Sequence, residues 1–196
     1  MRRTIFDTPV INTTLRLLSN TILKLRGWKK EGQLPDVGKC VVIAAPHTSN
    51  WDFVFMMLMA FSFRLKVFWM GKNSLFKGPL GPIMRFLGGI PVERSKHTGL
   101  VQQTIDQFNQ NDNLFIALSP EGTRGKVTKW KSGFYHVANG ANVPVAMGFL
   151  DYKRKVGGFG PLFKPTGDYE KDLADIQAFY RGVSGKNPSL FKDVFL

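Results

Sequence analysis

His47 and Asp52 stand five positions apart in Pro46-His47-Thr48-Ser49-Asn50-Trp51-Asp52, directly after the apolar run Val41-Val42-Ile43-Ala44-Ala45. An imidazole with an ordinary pKa of about 6.5 can take a proton from an alcohol near neutral pH, provided that something fixes its tautomer. A carboxylate against one ring nitrogen does so, leaves the other nitrogen as the base, and stabilises the imidazolium as it forms. A strand ending at residue 45, then a turn and a helix starting at Ser49 or Asn50, would hold His47 at a sheet edge with Asp52 in the first helical turn. The plain alternative is a loop histidine followed by an aspartate that caps a helix. Covalent catalysis has little to work with, because there is no G-x-S-x-G elbow and the single cysteine, Cys40, precedes the strand instead of following it.

The elements that must position these groups follow from periodicity. Residues 41–45 read as a buried strand bounded by a proline. The apolar stretch 53–63 is closed by Arg64 and Lys66, too short for a spanning helix and suited to a core helix. Residues 65–70 predict a second strand stopped by Gly71, residues 83–87 a helical turn among prolines and glycines, and residues 90–94 a short strand whose Pro91 suggests an edge. A helix over 98–109 that buries Leu100, Val101, Ile105 and Phe108, a strand over 114–118, a helix over 132–139 and a strand over 143–150 come next. Residues 155–159 suit an antiparallel strand, and 168–181 a helix with Leu173, Ile176, Phe179 and Tyr180 inward. The alternation predicts an α/β fold with a mostly parallel central sheet flanked by helices, and with ligand chemistry at the carboxyl ends of its strands. His47 and Glu121 both fall at such ends.

Ahead of the sheet, Ile11, Leu15, Leu18, Ile22 and Leu25 step by four and three, which places them on one face of an N-terminal amphipathic helix. Residues 2–30 carry seven cations against Asp7 alone, a local charge of +6. Residues 1–30 are therefore expected to be a basic membrane-associating helix, and 31–196 a single catalytic domain. The competing expectation is that the stripe packs on the domain's own core. Composition agrees with one globular unit, since 43% of the 196 residues are hydrophobic and 21% charged. The net charge of +13 calls for an anionic partner. Nucleic acid is disfavoured: no recognition motif is present, and the cations cluster in the amphipathic terminus instead of along a stacking surface. One cysteine excludes an internal disulfide and fits a reducing compartment. His97 and His136 lack partners at metal-ligand spacing, so no metal is expected.

Four islands occur in an order that resembles the glycerolipid acyltransferases, the lysophosphatidic acid acyltransferases and their relatives. Pro46-His47-Thr48-Ser49-Asn50-Trp51-Asp52 looks like the family's H-x-x-x-x-D block, and Gly89-Ile90-Pro91-Val92-Glu93-Arg94 like its second block. Ser119-Pro120-Glu121-Gly122-Thr123-Arg124 is similar to F-P-E-G-T-R, and Val143-Pro144-Val145 matches the short fourth block. The resemblance covers roughly residues 35–150, and its third island is the most specific. Three positions depart from the pattern: Pro46 stands where the family has asparagine, Glu93 where it has aspartate, and Ser119 where it has phenylalanine. The second and third changes line the presumed acceptor pocket and bear on the acceptor's identity more than on the reaction.

The resemblance implies transfer of a fatty acyl group from an acyl thioester to a hydroxyl of a lysophospholipid-type acceptor. His47 would be the general base oriented by Asp52, with direct transfer and no acyl-enzyme. The donor would be acyl-coenzyme A or acyl carrier protein, a cosubstrate and not a bound cofactor. Arg94 and Arg124 are the candidates for the acceptor's phosphate, because guanidinium forks match phosphate oxygens. Gly122 would let the backbone approach the ligand and offer an amide to the oxyanion. Glu121 would receive an acceptor hydroxyl or hold an arginine, Thr123 belongs to the same block, and Lys72, with Lys77, would approach phosphates of donor or acceptor. The implied location is cytoplasmic, peripheral on the inner face of the membrane and held by its anionic surface. Two alternatives remain: the same chemistry on a non-phosphate aminolipid or glycolipid, and a non-catalytic basic module.

Overall fold

The computed structural model describes residues 2–92 and 99–191. Strand β2 (Lys39–Ala45) shows why the sheet needs cover on both faces: Val41, Ile43 and Ala45 pack to one side, Cys40 and Val42 to the other. Around it seven strands line up in the order β1-β7-β6-β2-β5-β3-β4. The remaining strands are β1 (Lys29–Glu31), β3 (Val67–Lys72), β4 (Gly89–Val92), β5 (Leu114–Leu118), β6 (Val145–Asp151) and β7 (Val156–Phe163). Strands β6, β2, β5, β3 and β4 run parallel, and β7 reverses against β6 with β1 alongside it. The mostly parallel α/β sheet is thus present, and Pro91 lies in the edge strand β4.

Helices α1 (Pro9–Leu25) and α2 (Trp51–Phe63) belong to one layer, where Phe61, Met57 and Ala60 meet Ile5 and Phe6. On the opposite face, Phe108 of α4 (Leu100–Asn109), Phe134 and Val137 of α5 (Gly133–Gly140), and Ile176 and Tyr180 of α6 (Tyr169–Tyr180) cover Val41, Ile43 and Val145. The short helix α3 (Leu80–Phe86) precedes β4 and starts earlier than the expected 83–87 turn. Strand β7 runs past the expected 155–159, and its antiparallel direction is as anticipated. Strand β1 has no sequence signal, since three charged, exposed residues carry none of the apolar alternation that marks a strand; pairing with β7 makes it one. The expected boundary after residue 30 falls inside this strand.

α1 presents two faces. Leu23 and Ser19 are buried and Leu15 half-buried against the α2 layer, while Val10, Ile11, Leu18, Ile22 and Leu25 are exposed, Leu25 by 80%. The apolar stripe therefore divides, with Leu15 turned inward and the rest left on the surface. Among the described residues, no helix is long and apolar enough to cross a membrane.

Candidate active site

β2 and β5 are neighbours in register, Ile43 opposite Leu118, so the loops after them emerge side by side at one edge of the sheet. Sequence positions 47 and 121 thereby become partners. The Glu121 carboxylate accepts the His47 backbone N–H at 2.9 Å through Oε1 and the Ser119 hydroxyl at 2.8 Å through Oε2. Only 3% of Glu121 is exposed. Burial pushes its carboxyl above the ordinary range, against the pull of these donors. Through these partners Glu121 ties the β5 loop to the β2 loop.

His47 Nδ1 lies 3.3 Å from Asp52 Oδ2, with the imidazole partly exposed and the carboxylate nearly enclosed. A carboxylate on Nδ1 selects the tautomer with its proton there and leaves Nε2 as the base. Asp52 also ties down the loop ahead of α2, because Oδ2 accepts the backbone N–H groups of Thr48 (2.7 Å) and Ser49 (2.8 Å). These donors precede the helix and the N-cap Asn50 has no side-chain cap bond, so Asp52 is not a helix cap. Its second oxygen, Oδ1, accepts the hydroxyl of Tyr152 at 2.8 Å, a residue one hundred positions away. Burial first, then the charge of Asp52, raises the Tyr152 phenol well above its usual range, so it stays a donor. The Tyr152 ring packs edge-on to Trp28 at 5.0 Å and to Phe55 at 5.7 Å. Nothing local in the sequence marked this residue; it follows β6 in a turn and reaches Asp52 only because β6 adjoins β2.

The same loop is braced from behind. Asn187 donates its backbone N–H to Thr48 Oγ1 and its side-chain amide to the Thr48 carbonyl, at 3.1 and 2.8 Å. Lys186 sits 5.0 Å above the ring of Trp51, at the first turn of α2.

The third island is a tight turn. Gly122 has φ +65, and a Cβ there would meet the side chain of Lys131 at 3.0 Å, so the position suits glycine on two counts. Its N–H is bonded to the Ser119 carbonyl at 3.2 Å within the turn, which removes the expected offer of that amide to an oxyanion. Thr123 Oγ1 accepts the Gly125 N–H at 3.2 Å. Arg124 is exposed and donates to Asn50 Oδ1, which holds its guanidinium against the loop that carries His47 and leads into α2. Lys72 is exposed at the carboxyl end of β3, two strand spacings or about 10 Å across the sheet from β2. Arg94, together with Glu93 and His97, lies outside the described residues. Among the described residues no cluster of His, Cys, Asp or Glu could hold a metal ion.

Beneath α2 an apolar cavity of about 160 Å³ opens at Pro46 and His47 and continues between the helix and the sheet. Phe53, Met56, Ala60 and Phe63 line it from α2, and Val42, Val67 and Trp69 from the strands. Those α2 residues recur at helical spacing, which was readable as a buried face but not as the wall of a cavity. From Asp52 to Phe63 the helix advances about 16 Å, so the walls extend well away from the imidazole. Cys40, on β2, is fully buried, with its thiol pushed up to about 12 by desolvation, and is inert.

A family model described as Acyltransferase matches residues 28–147. The chain belongs to this family. The matched span contains His47, Asp52, Glu121 and Arg124 and stops within β6, before Tyr152. No curated protein matches. Among solved structures, the fold is similar to that of the 1-acyl-sn-glycerophosphate (LPA) acyltransferase PlsC from Thermotoga maritima. The two share 17% identity and a TM-score of 0.61, over 86% of this chain and 76% of that one.

Proposed function

We propose that this protein transfers a fatty acyl group from an acyl thioester, carried by coenzyme A or acyl carrier protein, to a hydroxyl of a lysophospholipid-type acceptor resembling lysophosphatidic acid. The reading is carried by the pairing of His47 with Asp52 at the mouth of an apolar cavity, a base beside a space suited to an acyl chain. Family membership supports the reaction class, and the similar Thermotoga maritima protein, an LPA acyltransferase, supports the acceptor class.

In this mechanism the acyl chain lies under α2 with its thioester carbonyl at the cavity mouth. Nε2 of His47 takes the proton as the acceptor oxygen attacks that carbonyl, and Asp52 stabilises the imidazolium. Collapse of the tetrahedral intermediate breaks the C–S bond, and the imidazolium returns its proton to the departing sulfur. The products are an ester and a free thiol, with no acyl-enzyme. Arg124, with Arg94 and Lys72, holds the acceptor or donor phosphates, and Thr123 supports the turn that presents Arg124. The exposed apolar face of α1 seats the enzyme peripherally on the inner face of the membrane.

Thiol release by the purified protein, measured with lysophosphatidic acid, other lysophospholipids, lyso-aminolipids and no acceptor, tests the proposal. Acceptor-dependent release that disappears in His47→Ala is the expected result. Release with lyso-aminolipid alone would move the acceptor to the non-phosphate class, and no release with any acceptor would remove the catalytic reading.

A further inference from the structure

At the carboxyl end of α1 the chain turns through Gly27 into β1, and this turn encloses a cleft of about 290 Å³. Lys24, Lys29, Lys30, Asn20 and Ser62 line it above a floor of Leu23 and Trp28, and no carboxylate is among the lining groups. The nearest acidic residue along the chain, Glu31, is paired with Arg154 at 3.1 Å. Lys30 donates to the Ser62 carbonyl at 3.3 Å, and the Ser62 hydroxyl donates to Asn20 Oδ1 at 2.6 Å, so the Asn20 amide nitrogen remains a donor. The cleft offers donors and positive charge, which suits a phosphate.

Its surroundings say what kind of phosphate. Ile22 and Leu25, both exposed, end the bare apolar face of α1 beside Lys24. An anion that is also apolar, with its head in the cleft and its chains along α1, satisfies both surfaces. The sheet fixes the orientation: Lys29 pairs with Val156, Val156 with Asp151 at the carboxyl end of β6, and two residues earlier Phe149 pairs with Ala45 next to the His47 loop. Cleft and imidazole therefore lie at the same end of the sheet. Trp28, in the cleft floor, touches Tyr152, which in turn donates to Asp52.

We propose that the Lys24–Lys29–Lys30 cleft binds the headgroup phosphate of an anionic bilayer phospholipid, at a site separate from the acceptor at His47, and so sets the catalytic mouth at the headgroup layer. The proposal rests on the membrane reading of α1. It is tested by sedimentation of the full chain with phosphatidylcholine vesicles, with and without phosphatidylglycerol. The readout needs no turnover, so its failure is distinct from failure of the acyl-transfer reading.

The double variant Lys24→Gln/Lys29→Gln should partition to anionic vesicles about 30-fold more weakly, from the attraction expected for two surface cations. Its partition to pure phosphatidylcholine, its melting temperature and its rate on detergent-dispersed substrate should be unchanged. A charge-matched control, Lys164→Gln/Lys171→Gln on the α6 side, should lose far less. Equal losses in the two variants would overturn the cleft in favour of bulk charge. Wild type bound to phosphatidylcholine without preference for phosphatidylglycerol would also overturn it while leaving the α1 reading intact; no binding to either vesicle would remove both. Inorganic phosphate at constant ionic strength should compete saturably with the anionic vesicles for wild type and not for the Lys24→Gln/Lys29→Gln variant. Saturable phosphate binding that leaves vesicle binding unchanged would make the cleft a free-phosphate site and overturn the lipid assignment.

Discussion

Tyr152→Phe removes one hydroxyl and leaves the ring that packs on Trp28 and Phe55. The oxygen it abandons, Asp52 Oδ1, belongs to a carboxylate only 5% exposed, so water has little access to replace the bond. Hydrogen bonds to charged groups are worth ~1.5–3 kcal/mol, and the variant should be less stable by an amount of that order. The effect on rate is smaller, because the bond is present before and during reaction and only its differential part counts. If about half of that energy goes into holding Asp52 toward the imidazole, kcat falls by roughly 4- to 13-fold, with KM near unchanged. Thiol release at saturating and at limiting acceptor, beside a thermal melt, reads both effects. A lower melting temperature with unchanged kcat would refute the positioning role and leave Tyr152 as packing alone.

Other substitutions separate the remaining roles. His47→Ala should reduce turnover by at least the ~10²–10⁴-fold typical of a general base, with the melting temperature retained. Asp52→Asn should cost less turnover but more stability, since one amide cannot accept from Thr48, Ser49 and Tyr152 together; a melt coincident with wild type would contradict this bracing of the loop. Arg124→Ala should raise KM for a phosphate-bearing acceptor more than for one without phosphate, and equal changes would assign Arg124 to bracing Asn50. Glu121→Gln tests the buried carboxyl. Its pKa is raised by folding, so ionisation opposes the fold, and stability from this group falls as pH rises from the ordinary carboxylate range through the raised value. The variant's melting temperature relative to wild type should therefore increase over that interval, and a flat difference would show that the donors from His47 and Ser119 fully offset desolvation.

Much of the fold was legible because it is local. Apolar runs bounded by glycine and proline marked β2, β3, β5 and β6, and four-and-three spacing marked α1, α4 and α6, since one strand or helix decides these patterns alone. The heptapeptide from Pro46 to Asp52 likewise carried its own geometry, because a strand end and a first helical turn suffice to bring the imidazole and carboxylate together. What pairing decides was not legible. Lys29–Glu31 becomes a strand only against β7, and Glu121 meets His47 only because β5 adjoins β2. Gly122 read as an oxyanion donor until the turn claimed its amide. Tyr152 reaches Asp52 across one hundred residues, a contact with no periodicity to betray it. Even the α1 stripe, visible in sequence, did not say which residues would be covered: α2 takes Leu15, Ser19 and Leu23 and leaves Leu18, Ile22 and Leu25 bare. A helix sets the angular positions of its side chains, whereas the neighbour that packs on it sets which of them meet water or lipid.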